Sequence, residues 1–310
     1  MPRPSLSELE RRCQKPDFRR SGNWMARRIS RPLALRLTWV LAPWRVSAHA
    51  VTGLALLVSL TAAACFGWGR PAGWLAGAVL WQFWYLLDHV DGQIARLRGT
   101  SSLDGIQFDY LMHHVVNLVM PFGLGYGVWR ASTHEGWLLA GFVFAVGILV
   151  LGLANDTRYK AFVARLKESR LPFAVARRDL DLAGATDMRY HRTRRVEGWL
   201  RPWVHLARKL CEVHVLMNVV TGLVIVGFLS GSLLPLKIYL ALMTPLALVT
   251  SVATVARDIR RGAAEREFAR WYVPLPAESI EDRVQPDEEG EQRAQPEVVA
   301  ASDFVAAGNS

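Results

Sequence analysis

Six apolar runs, each about the length needed to cross a bilayer core as helix, divide this chain: roughly residues 49–68, 71–90, 105–129, 135–155, 213–231 and 233–255. One or two such runs suit the buried helices of a soluble protein; six do not. The fold they predict is an all-α integral membrane protein with six transmembrane helices. The overall apolar share, 51%, would by itself fit a soluble domain, so it is the clustering that decides. The first 20 residues are polar and Arg-rich, with no cleavable signal pattern.

The charge is one-sided. Of 37 Lys and Arg, 11 precede the first run, 2 lie between the second and third, 14 between the fourth and fifth, and 7 follow the sixth; Arg70, Arg130 and Lys237 stand alone in the remaining connections. By the positive-inside rule both termini are cytoplasmic, and the expected location is a bacterial inner membrane. A formal charge of +10 raises the question of nucleic acid, but the cations track membrane sidedness, so anionic headgroups are the expected partner instead. Cys13, Cys65 and Cys211 show no ligand or disulfide spacing.

Three regions follow. Residues 1–21 form a polar N-terminal segment, expected to be loose. Residues 22–260 form the membrane domain. It opens on an amphipathic helix from Trp24 to Leu41, with Met25, Ile29, Leu33, Leu37 and Val40 opposite Arg27, Arg28 and Arg31, suited to the headgroup plane and bent at Pro32. The 158–212 connection carries a second amphipathic stretch, "RRVEGWLRPWVHLARKL". Residues 261–310 are acidic and proline-bearing, a composition that predicts a disordered tail.

The oddity lies where the second run ends and the third begins, "LLDHVDGQIARLRG" and "GIQFDYLMHH". At about 100° per residue, Asp88 and Asp91 share a helix face with Gly92 and Ala95, and Arg96 lies toward its edge. On the next helix Gly105, Asp109 and His113 form a comparable stripe, while His114 turns aside. The short connection predicts antiparallel neighbours whose polar stripes meet near the cytoplasmic surface. Three carboxylates and an imidazole repel or desolvate one another unless a cation intervenes. Hard oxygen donors suit Mg²⁺ or Mn²⁺, with positions left for water or phosphate. The glycines let a bulky ligand approach the backbone, and Arg96 can pair with a phosphate oxygen. Asp104 reads as an N-terminal helix cap.

These residues resemble the signature of the CDP-alcohol phosphotransferase (phosphatidyltransferase) family: Asp, two residues, Asp-Gly, two residues, Ala-Arg, a spacer, then Gly-x-x-x-Asp-x-x-x-Asp. Asp88, Asp91, Gly92, Ala95, Arg96, Gly105 and Asp109 match it. The resemblance covers about residues 24–260. It implies a metal site of Asp88, Asp91, Asp109 and His113, nucleotide contacts from Gly92, Ala95, Arg96, Gly105 and Thr52, and a CDP-alcohol donor such as CDP-diacylglycerol. An acceptor hydroxyl would attack the phosphorus bearing the lipid group and expel CMP, a step in phospholipid biosynthesis. Two positions depart from the pattern. "SAHAVT" stands where Ser-Pro-Asn-x-(aliphatic)-Thr is usual, and His113 replaces the fourth aspartate, which the family assigns as base for the acceptor.

Neutral imidazole offers one lone pair, so His113 binds metal or acts as base but not both at once. The base role is favoured, with Asp109 beside it. As a ligand it would shift preference from Mg²⁺ toward Mn²⁺ or Zn²⁺. The substitution leaves open a non-catalytic relative that binds nucleotide or lipid. Arg158 and Lys160, at the cytoplasmic end of the fourth run, are candidate contacts for an anionic acceptor alcohol. Membrane lipids are further partners, and the arrangement is compatible with a homodimer. A proton or ion transporter is the rival class, disfavoured because the acidic groups sit at one end of one helix pair, away from the bilayer centre.

Overall fold

All six apolar runs are helical in the computed structural model, which describes residues 5–14, 18, 22–169, 173–175 and 201–274. The chain runs through α1 (Leu6–Cys13), α2 (Arg31–Leu41, entered through a π-helical turn at Ala26–Ser30), α3 (Ala48–Gly67), α4 (Pro71–Arg98), α5 (Leu103–Ser132) and α6 (Gly136–Glu168). It continues through β1 (Phe173–Val175), α7 (Arg201–Leu210), α8 (Val213–Ser230), α9 (Leu234–Arg260), α10 (Ala263–Trp271) and β2 (Tyr272–Pro274), which pairs antiparallel with β1. Four helices, α3, α6, α8 and α9, are long and apolar enough to cross a membrane and mark an integral membrane protein. The other two long helices, α4 and α5, carry the polar cluster. Several helices outrun their apolar runs: α4 continues to Arg98, where Gly99 closes it in the left-handed conformation at φ 62°.

The long helices close into a ring in which α3 packs on α4 and α5, α5 on α6, α6 on α9, α9 on α8, and α8 on α4. The short connection from Leu97 to Asp104 predicted that α4 and α5 would be antiparallel neighbours. Instead each packs on α3, which separates their backbones over most of their length. Glycines make this close fit: a Cβ on Gly127 would collide with the Phe66 carbonyl oxygen, and one on Gly123 would lie 2.6 Å from that of Ala63.

One expectation at the N-terminal end changes. Residues 6–13 are helical, not loose: Ser5 caps α1 by accepting from the Glu8 N–H, and Leu9 and Cys13 are fully buried. The helix expected over 24–41 is present, with a local cause for its irregularity. Pro32 has no N–H for the Arg28 carbonyl and its ring crowds that oxygen, so the preceding turn widens and Arg31 bonds to Ala26. Its buried face is small, Ala26, Ser30, Ala34 and Thr38, with the Thr38 hydroxyl donating to Gln93 Oε1 of α4 at 2.9 Å; Ile29, Leu33 and Val40 are exposed. At the other end, part of the stretch expected as a tail from residue 261 is helical, and α10 buries Phe268 and Trp271 against Phe162. Residues 275–310 and the first part of the second amphipathic stretch, including Trp199, lie outside the described residues.

Candidate active site

The N-terminal ends of α3 and α5 and the C-terminal end of α4 meet at one pole of the bundle. Ser47 and Ser102 cap the two starts, the latter accepting from the Gly105 N–H at 3.1 Å; Asp104, expected as the cap, sits inside the first turn. One turn further along α5, Asp109 and His113 are stacked at i,i+4. His113 Nε2 lies 2.9 Å from Asp88 Oδ1 and 3.6 Å from Asp109 Oδ1. The side chains therefore bridge the space between α4 and α5 that the backbones leave. Trp84, fully buried one turn before Asp88, sets its edge to the His113 ring at 5.7 Å between centroids and 82°. His89, without an expected partner, places Nδ1 3.4 Å from the second Asp88 oxygen.

Donor atoms of Asp88, Asp109 and His113 all lie within 4.8 Å of one another. The residues fit one divalent cation, with positions left for water or a phosphate oxygen. Asp91, expected in the same set, stands apart. It follows Asp88 by three residues, which turns it about 60° toward α3. There it is buried, with Oδ2 accepting from the Thr52 hydroxyl at 2.7 Å and Oδ1 from the Gly92 N–H. Thr52, expected at the nucleotide, thus holds Asp91 and also lies 3.1 Å from the Ala48 carbonyl.

The remaining expected residues are placed as follows. Gly92 and Arg96 continue the Asp88 stripe at i+4 and i+8, and the Arg96 guanidinium lies over Gly92. Ala95 is part-exposed on the adjoining face, and Gly105 is approached by His49 of α3, whose Cε1 lies 3.5 Å from where a Cβ would stand. His114 turns aside as expected, and its partner is Asp156 of α6 at 2.8 Å. Arg158 departs from expectation. Its guanidinium is buried between two carboxylates, Nη2 to Asp258 at 2.6 Å and Nη1 to Glu267 at 2.7 Å, which satisfy its charge and tie α6 to α9 and α10. Lys160 is exposed two residues on. Arg158→Ala should destabilise the protein by about 3 kcal/mol, because it strands two part-buried carboxylates; denaturant titration in detergent measures it, with Lys160→Ala unaffected.

Comparison with known proteins bears on the same residues. No curated protein matches the chain. Among solved structures it is similar to the phosphatidylinositol phosphate synthase of Mycobacterium tuberculosis with CDP-DAG bound, at 21% identity and a TM-score of 0.37, over 66% of this chain and 92% of that one. The family model for CDP-alcohol phosphatidyltransferase matches residues 45–174, a stretch that contains Thr52, the whole signature and the Asp88–Asp109–His113 cluster. Residues 45–174 are thus similar in sequence to CDP-alcohol phosphatidyltransferase.

Proposed function

We propose that this protein transfers a phospho-alcohol group from a membrane-held CDP-alcohol, such as CDP-diacylglycerol, to an acceptor hydroxyl and releases CMP. The observation that carries the reading is the meeting of Asp88, Asp109 and His113, three signature positions from two helices, inside the matched stretch. Six helices span the bilayer in this reading, α4 and α5 included, with α2 in the headgroup plane. Both termini and the site face the cytoplasm, where the basic connections lie.

Asp88 and Asp109 would hold a divalent cation, Mg²⁺ or Mn²⁺, with His113 beside them kept for the base role. When bound, it supplies neutralisation of charge on the donor diphosphate and the departing CMP. The chain's own groups do the rest. Arg96, over Gly92, presents N–H donors to phosphate oxygens, and the bare backbone at Gly92 and Gly105 admits the diphosphate closely. Asp91, fixed by Thr52, holds the α4 end against α3. The Nε2 edge of His113 meets Asp88, so when Nε2–H donates to that carboxylate Nδ1 carries the lone pair. The imidazole then takes the acceptor's proton as its oxygen forms the new bond to the lipid-bearing phosphorus, and the bond from that phosphorus to the CMP oxygen breaks. Acyl chains stay in the bilayer, so only polar parts of donor and acceptor need to enter the site.

The test is CMP release from CDP-diacylglycerol by purified protein, over a panel of phosphorylated and plain alcohols. Release is expected with one acceptor class, and only with Mg²⁺ or Mn²⁺ present. CMP that binds without release from any member of the panel would assign the protein instead as a binding relative whose turnover was lost with the fourth aspartate.

A further inference from the structure

Side chains on a helix lean toward its N-terminus, so a long side chain covers the residue four before it. For Arg96 that residue is Gly92. With no side chain in the way, Arg96 Nη1 and Nη2 come to 3.3 and 3.4 Å from the position a Cβ would occupy, and Asp88 is the next residue on the same stripe. The inner nitrogen points elsewhere. Arg96 Nε donates at 2.5 Å to the backbone carbonyl of Cys13, the last residue of α1 and 83 positions away in sequence. The last carbonyls of any helix lack an internal partner, and that end of a helix carries partial negative charge. The Arg96 guanidinium answers both. The contact is built in rather than incidental: α1 is capped by Ser5, braced by an Arg12–Glu8 ion pair at 2.7 Å, and anchored by Leu9 and Cys13, both 0% exposed.

We propose that α1 is a positioning element of the donor site: its terminal carbonyl at Cys13 holds Arg96 by Nε, so that both Nη groups stay aligned over Gly92 to receive the donor's phosphate. This rests on the donor-site reading above. A guanidinium tethered at one nitrogen gives up its freedom before the ligand arrives, so α1 acts on ligand binding more than on the chemical step. Coupling of this kind is reciprocal: whatever α1 does for the ligand, the ligand does for α1.

That reciprocity supplies a readout on the intact chain. Burial holds the Cys13 thiol up at about 11, against the opposing pull of Arg96 and Arg12, so the docked thiol is unreactive and alkylation reports undocking of α1. CMP with Mg²⁺ should slow alkylation of Cys13 about tenfold, with Cys65 and Cys211 resolved separately by mass spectrometry. Deletion of residues 1–14 should raise the Kd for CMP and the KM for CDP-diacylglycerol about tenfold and leave kcat within twofold. Arg96→Lys should raise Kd and KM at least as far as the deletion does, because an ammonium cannot hold the carbonyl and still present a fork. In an Arg96→Ala background the deletion should add nothing. Unprotected Cys13, an unchanged Kd, or an equal rise in the Arg96→Ala background overturns the role of α1. A full chain that binds no CMP overturns the donor-site reading itself, and α1's part with it.

Discussion

Asp88→Asn is expected to lower CMP release about a thousandfold and to remove Mn²⁺ binding, while the helical content is unchanged. Asp88 is the residue on which the site converges. One oxygen takes the His113 Nε2 contact at 2.9 Å, the other faces His89 Nδ1 at 3.4 Å, and the side chain contributes a donor atom to the candidate cation cluster. Asparagine keeps the shape but loses the charge, and half of its end becomes an N–H donor directed at groups that are themselves donors. The hard-cation site falls from two carboxylates to one. Removing one group aimed at developing charge commonly costs 10²–10³ in rate, and disorientation of His113 adds to that, which together make about 4 kcal/mol of lost transition-state stabilisation. Rate and metal affinity should fall together, measured by CMP release and by the Mn²⁺ paramagnetic signal. An Asp88→Asn protein that keeps a tenth of the rate would show that the cluster is not the reacting centre. Asp104→Asn, one turn before Asp109 and exposed, serves as the control.

The same geometry shows what a sequence of this kind reveals. Bilayer crossing leaves its mark residue by residue, so every apolar run turned up as helix, and the Asp88, Asp109 and His113 stripes met as their spacing required. Partnerships between distant segments leave no such mark. Asp91 looked like a fellow of Asp88 because the two share a broad face, but a 60° offset was enough to give it to Thr52, 39 residues upstream. Arg158 read as an acceptor contact because Asp258 and Glu267, its partners, lie 100 and 109 positions away, the second in a region whose composition spoke for disorder. The adjacency of α4 and α5 was inferred from loop length alone. Loop length fixes only where two helices join, and the glycines of α5 let α3 take the place between them. For α1 a local signal did exist: Ser5-x-x-Glu8 is a capping box, followed by Leu9 and Cys13 at helical spacing. Eight residues among so many arginines hid it.

His113→Ala should lower kcat at least a hundredfold with little change in donor KM, whereas His113→Asp should keep substantial turnover and shift it toward Mg²⁺. The argument starts from the number of lone pairs. Imidazole at this position touches Asp88 through Nε2 and has one further nitrogen with which to accept a proton; alanine has neither, and a positioned general base is worth 10²–10⁴ in rate. The loss belongs to the chemical step, because the nucleotide contacts proposed at Gly92, Arg96 and Gly105 come from elsewhere on the two helices. The cavity left by alanine beside the buried Trp84 edge is lined by an unpaired Asp88 oxygen, so water entering it cannot reproduce an oriented base. Aspartate differs in kind. Its two oxygens can share a cation and a proton, and three carboxylates in place of two make the site harder and more anionic, which favours Mg²⁺ over softer ions. Repulsion among them is relieved only with the cation present, so the variant should also depend more steeply on its concentration. CMP release by both variants over matched Mg²⁺ and Mn²⁺ series decides the matter: an alanine variant running at the parental rate would strip His113 of the base role, and an aspartate variant with unchanged metal preference would deny it a place beside the cation.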